Sequence, residues 1–210
     1  MKRIVTLSLC LCLLTLSGCA KAKEVKKLTA DDIKTYTAQM KADPLSGDIT
    51  LDGKKYSLPI KAKTLENDGW KYNDFADKGH DLKTGYYVDN IKMDDGTKSE
   101  ESRIIVTLYN TSKSTTKFDE AMLGGIEVDK LGSDYKNTVV LPKGITLAST
   151  YKDVVAAYGK PKADLMQQAG FITYESSENI GNYGQQLKFE FDKSTQVIKS
   201  IHLKSIPEEK

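Results

Sequence analysis

Apolar residues occur along this chain first as one continuous run and later in periodic patterns. The continuous run covers residues 4–16 and follows Lys2 and Arg3. A transmembrane helix needs about 20 apolar residues, so this run is too short to span a bilayer. A positively charged start followed by a short apolar run is typical of a cleavable export signal. We therefore expect residues 1–18 to be a targeting segment that is absent from the mature fold.

The second half of the chain predicts one short helix followed by strands. Thr150 and Asp153 have the spacing of a capping box, an apolar stripe follows at helical spacing, and Gly159 is expected to end the helix in the left-handed conformation. Strands are predicted at residues 170–175, 186–192 and 197–204. Within 187–192 apolar and charged residues alternate, which favours an antiparallel sheet with one face covered. The helix is the expected cover.

The first half of the chain repeats this order more loosely. A strand is predicted at residues 48–54 and a helical turn at 61–68, with Gly69 at its end. Further strands are predicted at residues 85–93, 102–110 and 124–129, with a hairpin turn at Asp94-Asp95-Gly96. Earlier in the chain, Thr29 is a candidate N-cap for a short helix.

These patterns predict an α+β fold made of two tandem units, each a short helix packed on a small antiparallel sheet. The first unit is expected at residues 48–135 and the second at 141–206, joined near residues 130–140. Residues 19–47 would form a tether and a short helix. The repetition rests on the order and spacing of the elements.

The apolar run ends in a motif that resembles the lipobox of bacterial lipoproteins, Leu16-Ser17-Gly18-Cys19. The resemblance implies cleavage between Gly18 and Cys19 and a diacylglyceryl group on the Cys19 thiol. Two acyl chains are enough for stable anchoring without a protein helix. We therefore expect a chain held at the extracytoplasmic face of the cell membrane by lipid on Cys19. The alternative is an ordinary secretory signal with a chance cysteine.

Charge and cysteine content narrow the possible partners and the means of stabilisation. Of the 31 Lys and Arg residues, Lys2 and Arg3 lie in the expected signal, which leaves 29 against 29 acidic residues. A balanced chain without a basic patch makes nucleic acid an unexpected partner. Cys10 and Cys12 also lie in the signal, so the mature fold is expected to depend on core burial without disulfides.

Motifs in both halves of the chain resemble those of known families. Residues 142–204, through Gly144-Ile145-Thr146 and Tyr158-Gly159-Lys160-Pro161, resemble the repeat of beta-lactamase inhibitory protein and of small outer-membrane assembly lipoproteins. Residues 48–206 are similar to uncharacterised cell-surface lipoproteins of low-GC Gram-positive bacteria, through Gly69-Trp70-Lys71-Tyr72 and Leu141-Pro142-Lys143-Gly144. The resemblance implies tandem repeats that bind other proteins and carry no shared catalytic residues. The cysteine pairs of the inhibitory protein are missing here.

Catalytic and metal-binding patterns are weak in this sequence. The two histidines are His80, next to Asp81 in a predicted loop, and His202, which shares a strand face with Ser200 and is expected to face solvent. No histidine or cysteine pair has metal-ligand spacing, and the turn at residues 94–96 explains its own aspartates. We therefore expect no enzyme activity, no cofactor and no metal site.

Aromatic residues are the better candidates for recognition. Tyr174 and Tyr183 flank the loop at residues 176–185, and Trp70 and Tyr72 follow the first helical turn, where core packing is the alternative interpretation for Trp70. We predict a non-catalytic protein-binding module that contacts an envelope protein through the open face of the sheet and the Tyr183 loop. The alternative is a lipoprotein that captures a small ligand, which would need a cavity.

Overall fold

The structure is a computed structural model that describes residues 27–73, 79–96, 103–130, 138–176 and 183–207. The described helices are α1 (Ala30–Ala38), α2 (Ala62–Asn67), α3 (Tyr151–Tyr158) and α4 (Met166–Ala169), with 3-10 turns at Phe118–Glu120 and Pro142–Gly144. The described strands are β1 (Asp48–Leu51), β2 (Lys54–Ser57), β3 (Ile60–Lys61), β4 (Lys71–Tyr72), β5 (Asp81–Leu82), β6 (Tyr87–Asp94), β7 (Ile104–Tyr109), β8 (Thr116–Lys117), β9 (Met122–Asp129), β10 (Val139–Val140), β11 (Ala163–Leu165), β12 (Phe171–Glu175), β13 (Gly184–Phe191) and β14 (Ile198–Ile206).

Most strands belong to one antiparallel sheet of nine strands. Eight of them follow the order β11-β12-β13-β14-β9-β7-β6-β4, and β3 pairs separately with β9. Two smaller sheets have the orders β10-β1-β2 and β5-β8. The fold is therefore α+β with antiparallel sheets, as the sequence predicts.

The two predicted units meet inside the large sheet. The last strand of the first half, β9, pairs with the last strand of the second half, β14, with His202 opposite Glu127 and Leu203 opposite Ile126. The two small sheets expected from the sequence are thus halves of a single sheet. The joining segment also contributes to the first half, because β10 pairs with β1.

The helices follow the capping signals in the sequence. Thr150 accepts a hydrogen bond from the Asp153 N–H, and the Asp153 carboxylate accepts one from the Thr150 N–H, so the predicted capping box of α3 is confirmed. Thr29 forms the same box with Asp32 at α1. Gly159 does end α3, but its backbone (φ 79°, ψ −159°) lies outside the left-handed helical region that we expected. This extended conformation at positive φ is essentially restricted to glycine.

The core lies on the face of the large sheet that the helices cover. Val154 of α3 and Leu65 of α2 are buried in the same apolar cluster as Phe189, Ile201 and Ile126 from the central strands. The cluster contains residues from both halves and is therefore continuous across the β9–β14 junction. The alternation predicted for residues 187–192 is confirmed, since Leu187, Phe189 and Phe191 are buried while the residues between them are partly exposed.

Several short elements carry no signal that we recognised in the sequence. They are α4 and the strands β3, β4, β5, β8, β10 and β11, each of four residues or fewer. The predicted turn at Asp94-Asp95-Gly96 is supported by a hydrogen bond from the Gly96 N–H to the Asp94 carboxylate. Residues 97–102, on the other side of that turn, lie outside the described residues.

Candidate functional site

The face of the large sheet opposite the core exposes polar side chains. Along β7, Ile104, Val106 and Leu108 are fully buried, whereas Ile105 and Thr107 between them are partly exposed. The same alternation runs through β13 and β14, where His202 and Lys204 are on the exposed side. We call this side the open face.

A depression with a cavity volume of about 400 Å³ lies in the open face at the junction of the two halves. Strand register places a row of residues across it: Gln186 is opposite Lys204, Lys204 is opposite Gly125, and Gly125 is opposite Thr107. Asp89 and Asn90 complete the row, and His202 and Glu127 line the depression two residues further along β14 and β9. We call this depression the basin.

Backbone irregularities shape two sides of the basin. The pairing of β6 with β7 shifts register between Val88 and Ile91, so both Asp89 and Asn90 face the segment around Thr107. Asn90 has a positive φ of 59°, a conformation that asparagine tolerates better than most residues. Such a bulge changes where side chains point. On the floor, a side chain at Gly125 would come within 2.9 Å of Thr107, so glycine keeps the basin open.

His202 connects the two halves of the sheet through hydrogen bonds. Its Nδ1 lies 3.0 Å from Glu127 Oε2 on β9, and its Nε2 lies 2.8 Å from Ser200 Oγ. Glu190 Oε1 is 3.6 Å from the same Nε2 and 2.5 Å from Lys188 Nζ. Lys188 holds the pKa of Glu190 below its usual value, chiefly by a hydrogen bond. The network thus fixes the orientation of the imidazole at the edge of the basin.

Neighbouring charges at this junction also affect one another. Burial, with the charge of Glu127 nearby, raises the pKa of Asp129. On the other side of the basin, burial lowers the pKa of Lys204, and Glu175 partly offsets this. The ammonium of Lys204 is therefore partly removed from water.

The order serine, histidine, carboxylate resembles the hydrogen-bond order of a catalytic triad. A serine nucleophile also needs N–H donors for the oxyanion. Ser200 lies on β14, whose N–H groups serve the ladders with β13 and β9 on either side. Ser200 is only 4% exposed and does not line the basin. Among the described residues this arrangement suits positioning of His202 better than attack on a substrate.

Tyrosine side chains close one end of the open face. The rings of Tyr183, just before β13, and Tyr87 on β6 meet edge to face with centroids 6.5 Å apart, and Tyr183 Oη donates to the Gly85 carbonyl at 3.5 Å. Four strand spacings separate β13 from β6, which is about 19 Å across a flat sheet. The contact therefore requires a concave face. We call this pair the tyrosine bridge.

Two of the four predicted contact residues, Trp70 and Tyr174, are buried in the core. Trp70 is 3% exposed and packs in the core, so the alternative interpretation was correct for it. Tyr174 is 6% exposed on the core side of β12, and its hydroxyl donates to the Gly159 carbonyl. Both side chains are large amphipathic rings that fill the interior here. Tyr72 is partly exposed on the edge strand β4, and only Tyr183 borders the open face.

The sequence missed other residues of the open face. Tyr86 and Tyr87 are among the most exposed large apolar side chains of the described residues, at 62% and 36%. Both lie in the strand predicted at residues 85–93, and that prediction gave no reason to separate them from core tyrosines. Glu127 was also missed, because its contact with His202 depends on the pairing of β9 with β14 across the junction. His202 was correctly placed on the face of Ser200, but not recognised as hydrogen-bonded.

His80 and Asp81, the other candidate residues from the sequence, contact separate partners. His80 is exposed and its ring contacts Phe118, while Asp81 pairs with Lys117 at 2.6 Å. Within the described ranges no group of three or more His, Cys, Asp or Glu side chains is arranged to hold a metal ion. The loop residues 177–182 and the motif at residues 16–19 lie outside the described residues.

No family model, no curated protein and no solved structure matches this chain. In the part of the chain that the structure describes, no helix has the length and apolar character needed to cross a membrane.

Proposed function

We propose that this chain is a lipid-anchored extracytoplasmic lipoprotein and a non-catalytic module that binds an envelope protein through its open face. The observation that supports binding is the concave open face, with exposed Tyr87 at its border and exposed Tyr86 directly before it in the chain. Tyrosines supply large contact areas at protein interfaces and are enriched there. The open face also carries charges of both signs. Such a surface suits a partner with complementary charges better than a partner that binds through hydrophobic contact alone.

The anchor is supported by the sequence motif around Cys19 rather than by the fold. A diacylglyceryl group on Cys19 would hold the chain to the membrane, and residues 20–28 would separate the folded part from the lipid. Cys19 is therefore the residue that would link the chain to membrane lipid. The open face remains available to a partner in the envelope.

The first experiment tests the anchor. Cells that produce the native chain or Cys19→Ala are labelled with an alkyne analogue of palmitate and then separated into membrane and soluble fractions. We expect label and membrane association for the native chain and loss of both for Cys19→Ala. Retention of the label in Cys19→Ala would contradict the assignment of the lipidation site.

The second experiment tests the open face. Intact cells are treated with a crosslinker, and proteins captured by the native chain are compared with those captured by a Tyr86→Ala, Tyr87→Ala double variant. The matched control is Leu165→Ala, because Leu165 is also an exposed apolar residue, 38% exposed, but lies on β11 at the far edge of the sheet. We expect the native chain and Leu165→Ala to capture one envelope protein that the double variant does not capture. Capture that is equal for all three chains would refute the open face as the contact surface.

A small-ligand function is the second candidate, and the basin is the observation that favours it. The cavity of about 400 Å³ falls within the usual size of ligand sites. The small-ligand function considered from the sequence would need an enclosed apolar cavity. The lining of the basin is more polar than that, so a hydrophobic ligand is a poor match.

A further inference from the structure

We propose that the basin binds a small neutral saccharide, with the sugar hydroxyl groups on its polar lining and the apolar face of a sugar ring against the tyrosine bridge. This site goes beyond the proposed protein-binding function, because a sugar can occupy it without a protein partner. The argument rests on charges that are matched within the protein, on uncharged polar groups in the lining, and on a packed apolar surface at one end of the basin.

The charged side chains that β9 and β14 contribute to the basin already interact with other groups of the protein. Glu127 Oε2 is 3.0 Å from His202 Nδ1. Burial lowers the pKa of Lys204, and the charge of Glu175 nearby partly offsets this. A ligand carboxylate or ammonium would have to compete with these partners and would also lose its own hydration. Asp89, on the opposite wall, is exposed, and an ion pair formed there would contribute little. The lining therefore favours a ligand without charge.

Uncharged polar side chains supply the hydrogen bonds that such a ligand needs. Asn90, Thr107 and Gln186 line the basin, and each of them carries both a donor and an acceptor. Gln186 is held in place before any ligand arrives, because its Nε2 donates a hydrogen bond of 3.0 Å to Glu175 Oε2. Asp89 adds a carboxylate that accepts hydrogen bonds from hydroxyl groups. A sugar hydroxyl both donates and accepts, so a ligand with several hydroxyl groups complements this mixed lining.

A buried apolar pair lies next to the polar lining on the open face. Tyr109 on β7 and Ile206 on β14 are 3% and 1% exposed. They follow the basin residues Thr107 and Lys204 by two positions, so alternation along each strand places them on the same side of the sheet. A Cβ atom at Gly124 would lie 2.6 Å from Ile206 and 2.8 Å from Tyr109, so the pair is tightly packed. The basin therefore ends at a packed apolar surface.

The tyrosine bridge lies beside this apolar pair. Tyr87 is directly opposite Tyr109 in the register of β6 and β7, and Tyr183 directly precedes Gly184, which is opposite Ile206. The ring of Tyr87 remains accessible, since the residue is 36% exposed. Aromatic rings provide a large apolar surface. A sugar ring presents C–H groups on one face and hydroxyl groups around its edge, so it matches the apolar end and the polar lining together.

The size of the basin limits the ligand to a small saccharide. Its volume of about 400 Å³ is near the lower end of ligand sites, which range from about 300 to 1,000 Å³. Its walls on β14 and β6 are three strand spacings apart, about 14 Å along the sheet. The tyrosine bridge closes one end, so a long glycan chain could not continue in that direction. A monosaccharide or disaccharide unit therefore fits better than the interior of a long chain.

The test uses the full native chain in a phosphocholine detergent, because a detergent with a sugar headgroup would compete for the site. Backbone amide NMR spectra are recorded with millimolar methyl glycosides of glucose, galactose, mannose and N-acetylglucosamine. The best neutral ligand is then compared with its amino-sugar and uronic-acid forms, which carry a positive and a negative charge. We expect the neutral form to shift the amide signals of Thr107, Gly125 and Gln186 and to bind at least fivefold more tightly than either charged form. No shift at these residues with any neutral glycoside, or tighter binding of a charged form, would overturn the proposal.

Two variants test the two parts of the basin. Asn90→Gly removes the amide and keeps the backbone, because glycine readily adopts the positive φ of 59° found there. It should weaken binding of the neutral glycoside at least fivefold, and Tyr87→Ala should weaken it at least threefold. Lys92→Gln is the control, because Lys92 is exposed on β6 but does not line the basin, and it should leave the affinity unchanged. If both variants bind the glycoside as the native chain does, the sugar lies elsewhere and the proposal is wrong.

Discussion

Replacing Ile172 by alanine tests whether the two halves of the large sheet unfold as one body. Ile172 is fully buried on β12, in the second half of the chain. The only tryptophan, Trp70, is buried directly before β4, and five strands lie between β12 and β4. β9 and β14 join the halves and the core is continuous. A destabilising substitution at Ile172 should therefore also lower the stability of the region around Trp70.

The expected size of the effect follows from burial. Ile172→Ala removes about three methylene equivalents, each contributing about 0.8 kcal/mol on transfer from water. The cavity left behind adds to this, so the free energy of unfolding should fall by about 3–4 kcal/mol in total. For a chain of this length, each kcal/mol lowers the melting temperature by about 2–4 °C. We therefore expect a decrease of about 6–16 °C.

Two probes measure the unfolding of the native chain and of Ile172→Ala. Tryptophan fluorescence reports on Trp70 in the first half, and far-ultraviolet circular dichroism reports on the whole sheet. We expect both probes to give one transition with the same midpoint, displaced by the same amount in the variant. Ile172→Val provides a graded control, with a loss of about 1 kcal/mol. If the fluorescence midpoint does not move while circular dichroism shows a second, earlier transition, the halves unfold independently and the reasoning fails.

Two further predictions concern single positions. Gly159→Ala should lower the free energy of unfolding by about 1–3 kcal/mol in chemical denaturation, through backbone strain alone, because nothing lies within 4 Å of the added methyl group. Lys160→Ala, one residue later, should change it by less than about 0.5 kcal/mol, and equal effects would contradict the strain argument. Hydrogen bonds from Ser194 and Thr195 lower the pKa of Asp192 to about 2 from its ordinary value near 3.8. Stability from this group should therefore be complete above about pH 4 and be lost as the pH falls through about 2. Carboxyl NMR titration measures the pKa of Asp192 directly, and a midpoint near 4 would refute the prediction. Denaturation of Asp192→Asn at each pH should show a smaller acid-induced loss.

The elements with complete local signals were predicted well. Thr150 and Asp153 specify the start of α3 by reciprocal hydrogen bonds between neighbours in sequence, so no distant contact is needed. The alternation at residues 187–192 likewise identifies both a strand and its buried face. The end of α3 was predicted at the right residue, but glycine can adopt several conformations at positive φ, and packing selected one of them.

Aromatic residues show why contact surfaces were predicted less well. Tyr174 and Tyr87 have the same side chain and both lie in strands, but one is buried and the other borders the open face. Burial of a tyrosine depends on which face of which strand is covered, and that depends on the position of the strand in the sheet. The sequence therefore selected four aromatic candidates of which one, Tyr183, borders the open face.

The sequence by itself determined the α+β class, the two ends of α3, the approximate positions of the central strands, and the motif at Cys19 from which a lipid anchor is proposed. These features depend on residues that are close together in the chain, where spacing is enough to predict hydrogen bonds and faces. Only the tertiary structure decided that β9 pairs with β14, and this pairing brings Glu127 to His202 and forms the basin between Asp89 and Lys204. Strand pairing over such separations is set by packing of the whole sheet, and a short segment of sequence carries no information about its distant neighbour.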